Sequence, residues 1–337
     1  MPTDSLLPAS VLPRIGSFER ILLLRRLEML AGLPTRELGV LAEAARERFF
    51  AKGERLLREG EPVPSVSIVV EGLVSTLRHG RALLTCGPGA SFGGLSLLAR
   101  DPNGIEAVAE ADTLTLELDG DDLHEILEDH FAILHHLLQR VSGQLIDLLA
   151  PGHLDDVVPP DAPPPAAMNL DLVERILFLK QFHVFRRASV NALAELSRGL
   201  TEVAFPAGTV LWRAGEDPGG LLLVLNGQVR GSRTDCVACL TLGPGSPLGA
   251  LEAVAERPRW FDAVAETNVT ALHGSAEGLF DVIEDNPGMG LDYLAAMAQG
   301  LALALDRRVE RAEAVARHWD AEAALDATPA PDTNAPA

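Results

Sequence analysis

The chain carries one sequence pattern twice. Glu19-Arg20-Ile21-Leu22 recurs as Glu174-Arg175-Ile176-Leu177, 155 positions later (174 − 19). The same offset, which becomes 156 after one inserted residue, relates further matched segments: Phe50-Ala51-Lys52-Gly53 and Phe205-Pro206-Ala207-Gly208, Arg58-Glu59-Gly60 and Arg213-Ala214-Gly215, Gly72 and Gly227, Gly87-Pro88-Gly89 and Gly243-Pro244-Gly245, Ala109-Glu110 and Ala265-Glu266. Each copy has the size of one domain, so the pattern indicates a tandem duplication rather than a short-period solenoid.

The charge of the chain limits the partners that it can bind. The 337 residues carry a formal net charge of −20 at pH 7. Duplex DNA binds proteins that neutralise its phosphates, and anionic lipid headgroups attract basic surfaces, so neither nucleic acid nor a membrane is expected as a partner.

Three cysteines are too few for a disulfide framework, which favours a reducing compartment. The first residues show no basic stretch followed by an apolar run, and no apolar run reaches the length needed to span a bilayer. These features predict a cytoplasmic protein.

Hydrophobic periodicity predicts an α+β protein with two β-roll domains, each flanked by helices. In the first copy a three-to-four spacing over 12–48 indicates helices, short strand-like runs separated by glycine turns fill 49–118, and the helical period returns from Gly120. The second copy repeats this order over 170–200, 203–273 and from 276. The predicted segments are an N-terminal segment 1–14, a first domain 15–148, a proline-rich linker 149–169, a second domain 170–319 and a disordered tail 320–337.

The glycines that recur in order, twice, carry a resemblance to a known domain. The matched pairs are Gly53 and Gly208, Gly60 and Gly215, Gly72 and Gly227, Gly89 and Gly245, and Gly93 and Gly249. With the order of helices, roll and helices, they make each copy similar to the cyclic nucleotide-binding domain of catabolite-activator-type regulators, cyclic-nucleotide-gated channels and kinase regulatory subunits. The resemblance covers roughly 15–148 and 170–315 and implies a cyclic nucleotide-binding-like fold.

The resemblance also implies where a ligand would bind. In such domains a Phe-Gly pair opens a phosphate cassette: backbone amides and an arginine bind the cyclic phosphate, a glutamate accepts the ribose 2′-hydroxyl, and an apolar residue of the last helix covers the base. When the two copies are aligned with such domains, each aligned position forms a column. The glutamate column holds Gly94 in copy one and Ala250 in copy two, and the arginine column holds Asn103 and Arg259. Copy one therefore lacks both side chains, and copy two retains one of them.

These departures predict a degenerate first pocket and a candidate second one. The degenerate pocket comprises Phe92, Gly93, Gly94, Leu95 and Asn103. The candidate ligand-binding residues of the second domain are Leu248, Gly249, Ala250, Leu251, Arg259 and Trp260. The alternative interpretation makes Arg259 a solvated residue after the turn at Pro258.

Other motifs do not indicate catalysis or a metal site. Cys236-Val237-Ala238-Cys239 is a lone C-x-x-C pair without the further ligands that zinc requires. His130, His135 and His136 lack the i, i+4 spacing of a helical metal pair, and are expected at the surface or in packing. With no phosphate loop or nucleophile motif, the chain is predicted to be non-enzymatic, with no cofactor beyond a cyclic nucleotide in the second domain.

The last helix has two interpretations. Its apolar residues alternate at spacings of four and three, with Arg308 interrupting: Leu291, Leu294, Ala298, Leu301, Leu305, Ala312, Val315 and Trp319. This helix either packs back on its own roll or pairs with a partner or with its own copy, as in a homodimer. No helix-turn-helix module follows it, and DNA binding is not expected.

The leading functional hypothesis is a cytoplasmic regulatory or signalling protein that acts through protein–protein contacts, with nucleotide sensing in the second domain. One alternative is a ligand-free structural adaptor or scaffold. Another is a regulatory subunit of a separate enzyme such as a kinase. The last is disfavoured, because the resemblance implies basic residues ahead of the first domain and residues 1–18 offer only Arg14.

Overall fold

A computed structural model of the chain describes residues 15–78, 80–149, 169–233 and 236–326. In both copies, helices precede and follow a roll of eight strands. The eight strands per copy, and the helices on either side of them, confirm the predicted α+β class.

The first copy begins with helix α1 (Ser17–Arg26), a short 3-10 turn (Glu28–Leu30) and α2 (Thr35–Ala44). Its roll contains β1 (Arg46–Phe50), β2 (Arg55–Leu57), β3 (Ser65–Glu71), β4 (Val74–Arg78), β5 (Arg81–Cys86), β6 (Ser91–Phe92), α3 (Gly94–Leu98), β7 (Glu106–Ala109) and β8 (Thr113–Asp119). Helices α4 (Gly120–Asp129) and α5 (Phe131–Leu149) complete it.

The second copy has α6 (Leu172–Leu179), a 3-10 turn (His183–Phe185) and α7 (Val190–Gly199). Its roll contains β9 (Thr201–Phe205), β10 (Val210–Trp212), β11 (Leu221–Asn226), β12 (Val229–Arg233), β13 (Cys236–Leu242), β14 (Pro247–Leu248), α8 (Ala250–Ala255), β15 (Asp262–Ala265) and β16 (Val269–Gly274). Helices α9 (Ala276–Asp285) and α10 (Pro287–Asp326) follow.

The strand topology of the two copies is the same. Each roll consists of two antiparallel four-stranded sheets, ordered β1-β8-β3-β6 and β2-β7-β4-β5 in the first copy. The second copy repeats this arrangement as β9-β16-β11-β14 and β10-β15-β12-β13. The prediction that both copies share one fold is confirmed.

The helical prediction was wrong at one boundary. Helicity was expected as far as residue 48, but α2 ends at Ala44 and β1 begins at Arg46. Arg46 pairs with Glu117 and Arg48 with Thr115 across the sheet. Pairing with a distant strand outweighs the local helical pattern at these positions.

The repeated Glu-Arg-Ile-Leu segment has a structural explanation. The Arg20 guanidinium donates to the carbonyls of Ile15 and Ala45, at 3.1 and 2.6 Å, and to the Glu47 carboxylate at 2.9 Å. Arg175 makes the equivalent hydrogen bonds to Leu170, Leu200 and Glu202. In each copy this arginine therefore ties the first helix, the end of the second helix and the first strand together.

One hydrophobic cluster spans both copies, and each roll also has a smaller cluster of its own. Helix α5 of the first copy packs against α10 of the second, and both contribute fully buried side chains. A single cluster joins residues of both copies: Leu134, Leu138, Val141 and Leu145 of α5, Ala250 and Val254 of α8, and Leu291, Leu294 and Leu301 of α10. The last helix of the chain therefore pairs with its counterpart in the other copy.

Each terminal helix also contacts the cassette helix of the other copy. Helix α5 packs against α8, and α10 packs against α3. The Gln299 side-chain amide donates to the Ala99 carbonyl at 2.8 Å, whereas Arg257 donates to the Gly143 carbonyl and pairs with Asp147. On the other side Arg100 pairs with Asp292 at 2.7 Å. These reciprocal contacts relate the copies as two halves of a pseudo-dimer.

Helix α10 differs from the prediction in two ways. It extends to Asp326, so it includes the start of the predicted tail 320–337, of which 327–337 lie outside the described residues. Its stretch Pro287–Val309 is long and apolar enough, by length and composition, to cross a membrane, with a mean hydropathy of 1.2. That stretch is 50% buried within the protein, as a core helix would be, so the membrane evidence is weak.

Other predicted segments fall partly outside the described residues. Leu149 ends α5 and Asn169 precedes α6, while 150–168 of the predicted linker and 1–14 of the N-terminal segment are not described. The domain boundaries stay a prediction.

Candidate functional site

Both phosphate-cassette segments form a short strand followed by a short helix. Gly93 and Gly249 stand at the N-caps of α3 and α8 with positive φ angles of 84° and 70°. A Cβ atom on Gly93 would lie 2.8 Å from the Ser65 carbonyl oxygen. A Cβ atom on Gly249 would overlap the Arg259 guanidinium. Only glycine fits either column without displacing a neighbour.

The first cassette lacks an inward cation in the predicted arginine column. Asn103 is exposed, and its backbone N–H donates to Asp101 at 3.0 Å. Gly94 and Leu95 are half-buried and Phe92 is buried. A Cβ atom on Gly94 would make an ordinary contact with Val66, at 3.5 Å, so the missing glutamate is not explained by lack of space at Cβ.

An arginine that sequence reasoning missed lies beside the first cassette. Arg78 of β4 pairs with Asp101 at 2.9 Å, and its guanidinium lies 3.8 Å from Asp306 of α10. Its side chain is 19% exposed. Two carboxylates neutralise this arginine, so it is a link to α10 rather than a free anion site.

Arg259 of the second domain is buried. It is 5% exposed, so the interpretation as a solvated surface residue is wrong. Its Nη1 donates to the Gly249 carbonyl at 2.9 Å and its Nη2 to the Gly220 carbonyl at 2.6 Å. The guanidinium carbon lies 4.3 Å from the centre of the Trp212 ring, a cation–π contact.

Trp212, which contacts the Arg259 guanidinium, belongs to a chain of three aromatic side chains. Trp212 and Phe261 make an edge contact with ring centroids 5.8 Å apart, and Trp260 and Phe261 do so at 5.0 Å. Leu248 and Ala250 are buried, while Leu251 and Trp260 are half-buried. Among the predicted residues of the second cassette, Gly249 is the one that bonds the Arg259 guanidinium.

Buried polar atoms without hydrogen-bond partners cluster here. They are Nε of Arg259, Nε1 of Trp212 and Oε1 of Glu252. Native proteins leave few such atoms unpaired, so each requires an explanation such as a ligand or a water molecule. The cluster offers two donors and one acceptor next to the cassette.

Two charged groups in this cluster have shifted pKa values. Burial lowers the pKa of Arg259, and the carboxylates of Glu252 and Glu216 oppose that shift. Burial raises the pKa of Glu252, and Arg259 is among the groups that oppose it. Glu252 is 2% exposed and was not predicted as a site residue.

The alignment of the two copies contains a signal that marks Glu252 and Trp212 as candidate site residues. Glu252 stands in the column of Ser96, and Trp212 stands in the column of Leu57. A charge in the first turn of a cassette and a large aromatic in a strand column both distinguish the second copy from the first. Comparing the columns for gains as well as losses would have found them.

His135 has a packing role. His135 stacks on Phe131 with centroids 5.5 Å apart and contacts Phe280 at 4.0 Å, and burial lowers its pKa. Cys236 and Cys239 lie in β13, but their side chains lie outside the described part of the chain. Across the described residues, no group of three His, Cys, Asp or Glu side chains is placed to hold a metal ion.

Known proteins are similar to parts of this chain. A cAMP-dependent protein kinase regulatory subunit of Eremothecium gossypii is 31% identical over 80 residues, which are 24% of this chain and 18% of the relative. Glutaminase 2 of Bradyrhizobium diazoefficiens is 29% identical over 123 residues, 35% of this chain and 20% of the relative. The chain thus spans about a fifth of the length of these curated relatives.

A solved structure of the regulatory domain of Toxoplasma gondii PKA with cAMP aligns at 19% identity. The alignment covers 84% of this chain and 96% of that chain, with a TM-score of 0.32.

A family model matches both copies. The model of the cyclic nucleotide-binding domain matches residues 47–130 and 202–286, which together are half of the chain. The two matched stretches contain the two rolls and both phosphate cassettes. The chain belongs to the cyclic nucleotide-binding domain family, with two such domains in tandem.

Proposed function

We propose that this chain is a non-enzymatic, cytoplasmic regulatory protein that acts through protein–protein contacts. The regulatory role is supported by the family and by the relative named as a kinase regulatory subunit. The shared core supports it physically, because a change at one cassette is transmitted to the helix of the other copy that packs on it. The protein is therefore expected to act by binding other proteins.

Ligand sensing, in this proposal, belongs to the second domain. The observation that carries it is Arg259, a buried guanidinium at the cassette with an unpaired Nε donor. A cyclic phosphate is an anion that such a guanidinium binds through charge-assisted hydrogen bonds. In the first domain the aligned Asn103 is exposed and uncharged. The nearby Arg78 also has a buried Nε without a hydrogen-bond partner, but its guanidinium pairs with Asp101 and lies 3.8 Å from Asp306.

Arg259→Ala is expected to weaken cyclic AMP binding by about 2 kcal/mol or more, as for a charge-assisted hydrogen bond. Calorimetry on the full chain measures the effect. Arg230→Ala, at an exposed position of β12 in the same domain, is the matched control. Equal affinities for Arg259→Ala and the control would rule out a role for Arg259 in binding.

The same titration tests whether the second domain distinguishes a ribose from a 2′-deoxyribose. Ala250 cannot accept a hydrogen bond through its side chain, so cyclic AMP and its 2′-deoxy analogue are expected to bind with similar affinity. A strong preference for the ribo form would show that another residue accepts the 2′-hydroxyl.

A ligand-free adaptor is the second candidate function. It is favoured by the two carbonyl hydrogen bonds of Arg259, which a phosphate would have to replace. Absence of binding for cyclic AMP and cyclic GMP at any pH would select this candidate. A regulatory subunit for a separate enzyme stays a further alternative.

The surface for a partner, or for a homodimer, is proposed on the distal part of α10. Tyr293, Leu294 and Leu301 are buried by the chain's own helices, whereas Leu303 and Val309 are 52% and 47% exposed. The proximal part of α10 is therefore not available for a homodimer without opening the pseudo-dimer. Light scattering on the full chain distinguishes a monomer from a dimer.

A further inference from the structure

Two opposite charges are buried in the same part of the second domain. The side chains of Arg259 and Glu252 are 5% and 2% exposed. Each retains one buried polar atom without a hydrogen-bond partner, Nε of Arg259 and Oε1 of Glu252. Burying a charge is costly unless an opposite charge or hydrogen bonds compensate for it. The two residues therefore have to be considered together.

The N-cap carbonyl of α8 connects the Arg259 guanidinium to the helical turn that contains Glu252. The Gly249 carbonyl, at the N-cap of α8, accepts a hydrogen bond from Nη1 of Arg259 and another from the Ala253 amide at 3.1 Å. Glu252 precedes Ala253 in that turn. The guanidinium thus lies against the turn that carries the carboxylate.

The charges of the pair act on each other. Burial is the largest effect on the Glu252 carboxyl, and it raises the pKa. The amide of Glu252, the charge of Arg259 and the Trp260 amide act against it. Glu252 in turn acts to raise the pKa of Arg259. A second anion bound by the same buried guanidinium would be repelled by this carboxylate.

We propose that the Glu252 carboxylate is a built-in counter-anion of Arg259, which competes with the phosphate of a cyclic nucleotide for the second cassette. An anionic ligand then binds well only when this carboxylate is neutralised or displaced. The inference rests on the proposed ligand sensing in the second domain, and it makes Glu252 the residue that sets the affinity. The first copy has Ser96 in the same column and no such anion.

Other charged groups near α8 do not replace Glu252 in this role. From α5, Asp147 pairs with Arg257 and Gln139 donates to Glu256 at 2.9 Å. Glu256 and Glu284 of α9 act to raise the pKa of His135 of α5. Glu216, from the loop after β10, acts on Arg259. The described group that acts directly on the Glu252 carboxyl is the Arg259 guanidinium.

The proposal predicts tighter nucleotide binding at lower pH. The pKa of Glu252 is raised, so its neutral form becomes populated at higher pH than in an exposed glutamate. Protonation removes the negative charge that repels the phosphate, while Arg259 stays charged. Affinity is therefore expected to rise as the pH falls through the pKa of Glu252.

Calorimetric titration of the full chain with cyclic AMP tests this. Glu252→Gln keeps the shape of the side chain and removes its charge. At about pH 7.5 it is expected to bind about tenfold or more tightly than the wild type, the ratio that one pKa unit of interaction produces. As the pH is lowered to about 5.5, the affinity of the wild type is expected to rise towards that of Glu252→Gln, whose own affinity changes little.

Matched variants separate the outcomes. Glu266→Gln, at an exposed position of the same domain, is expected to behave as the wild type. Adding Arg259→Ala to Glu252→Gln is expected to abolish the gain. If Glu252→Gln does not fold, as judged by circular dichroism, Glu252→Ala takes its place. Equal binding by the wild type and the Glu252 variant at both pH values overturns the counter-anion. No binding by any variant at either pH overturns the proposed ligand sensing, and the counter-anion inference with it.

Discussion

Replacing Gly290 by leucine is expected to destabilise the whole chain, because this glycine lies where the two copies meet. A Cβ atom on Gly290 would lie 2.5 Å from Cγ2 of Ile283 in α9 and 2.8 Å from Cδ2 of Leu134 in α5. Both neighbours are fully buried. Overfilling a packed core costs roughly 1–3 kcal/mol, and a leucine here is expected to reach about 3 kcal/mol.

Urea unfolding measures this effect as a lower free energy of unfolding. Gly300→Leu is the matched control, since Gly300 lies in the same helix and a Cβ atom there would meet no atom within 4 Å. The control is expected to stay within about 0.5 kcal/mol of the wild type. If the two variants had equal stabilities, the described contact between α5 and α10 would be wrong.

Arg175→Ala is expected to cost about 2–3 kcal/mol, although Arg175 lies far from the cassette. The variant loses hydrogen bonds to the Leu170 and Leu200 carbonyls, at 3.2 and 2.9 Å, and the ion pair with Glu202 at 3.0 Å. The side chains of Arg175 and Glu202 are 21% and 11% exposed, so solvent screens the pair in part. Arg198→Ala, at an exposed position of α7, is the control.

The loss in Arg175→Ala is expected to depend on pH. Burial acts to raise the pKa of Glu202, but hydrogen bonds from the Asn169 and Leu170 amides and from Arg175 outweigh it, and the pKa falls below 4.5. A depressed carboxyl pKa stabilises the folded state above the unfolded pKa, and that stability is lost as the pH falls through the folded pKa. The stability difference between the wild type and the variant is therefore expected to narrow in acid by the part that the ion pair with Glu202 contributes, while the carbonyl hydrogen bonds of Arg175 remain. A constant difference down to about pH 2 would contradict the role of Glu202.

The fold could be predicted because its signals are local and repeated. Glycines at matched columns, such as Gly72 and Gly227 with φ angles of 98° and 93°, mark turns that only glycine forms easily. Strand runs such as Val66–Val70 and Thr113–Leu118 fall inside β3 and β8. Two copies of each signal made the pattern more reliable than either copy alone.

The contact between the copies could not be predicted in the same way. The last helix showed an apolar alternation, but the alternation does not say which surface covers it. The structure places α10 on α5, the equivalent helix of the first copy, within one chain. Self-association between chains stays a prediction.

The candidate site was only partly visible in the sequence. Arg259 was recognised because its column holds an arginine in similar domains. Its burial, and its carbonyl partners Gly249 and Gly220, depend on contacts across the roll that no local pattern reveals. Glu252 is a charge that only the second copy carries in its column, where the first copy has Ser96, so the residues of similar domains do not predict it.

Counting the cyclic AMP sites on the full chain tests most directly whether ligand sensing belongs to the second domain alone. Calorimetry at about pH 5.5, where the Glu252 carboxyl is expected to be more protonated, gives the number of sites per chain. One site per chain is expected, with its affinity weakened by about 2 kcal/mol or more in Arg259→Ala and unchanged in Asn103→Ala, the same column of the first domain. Two sites per chain, or one site with unchanged affinity in Arg259→Ala, would contradict ligand sensing by the second domain.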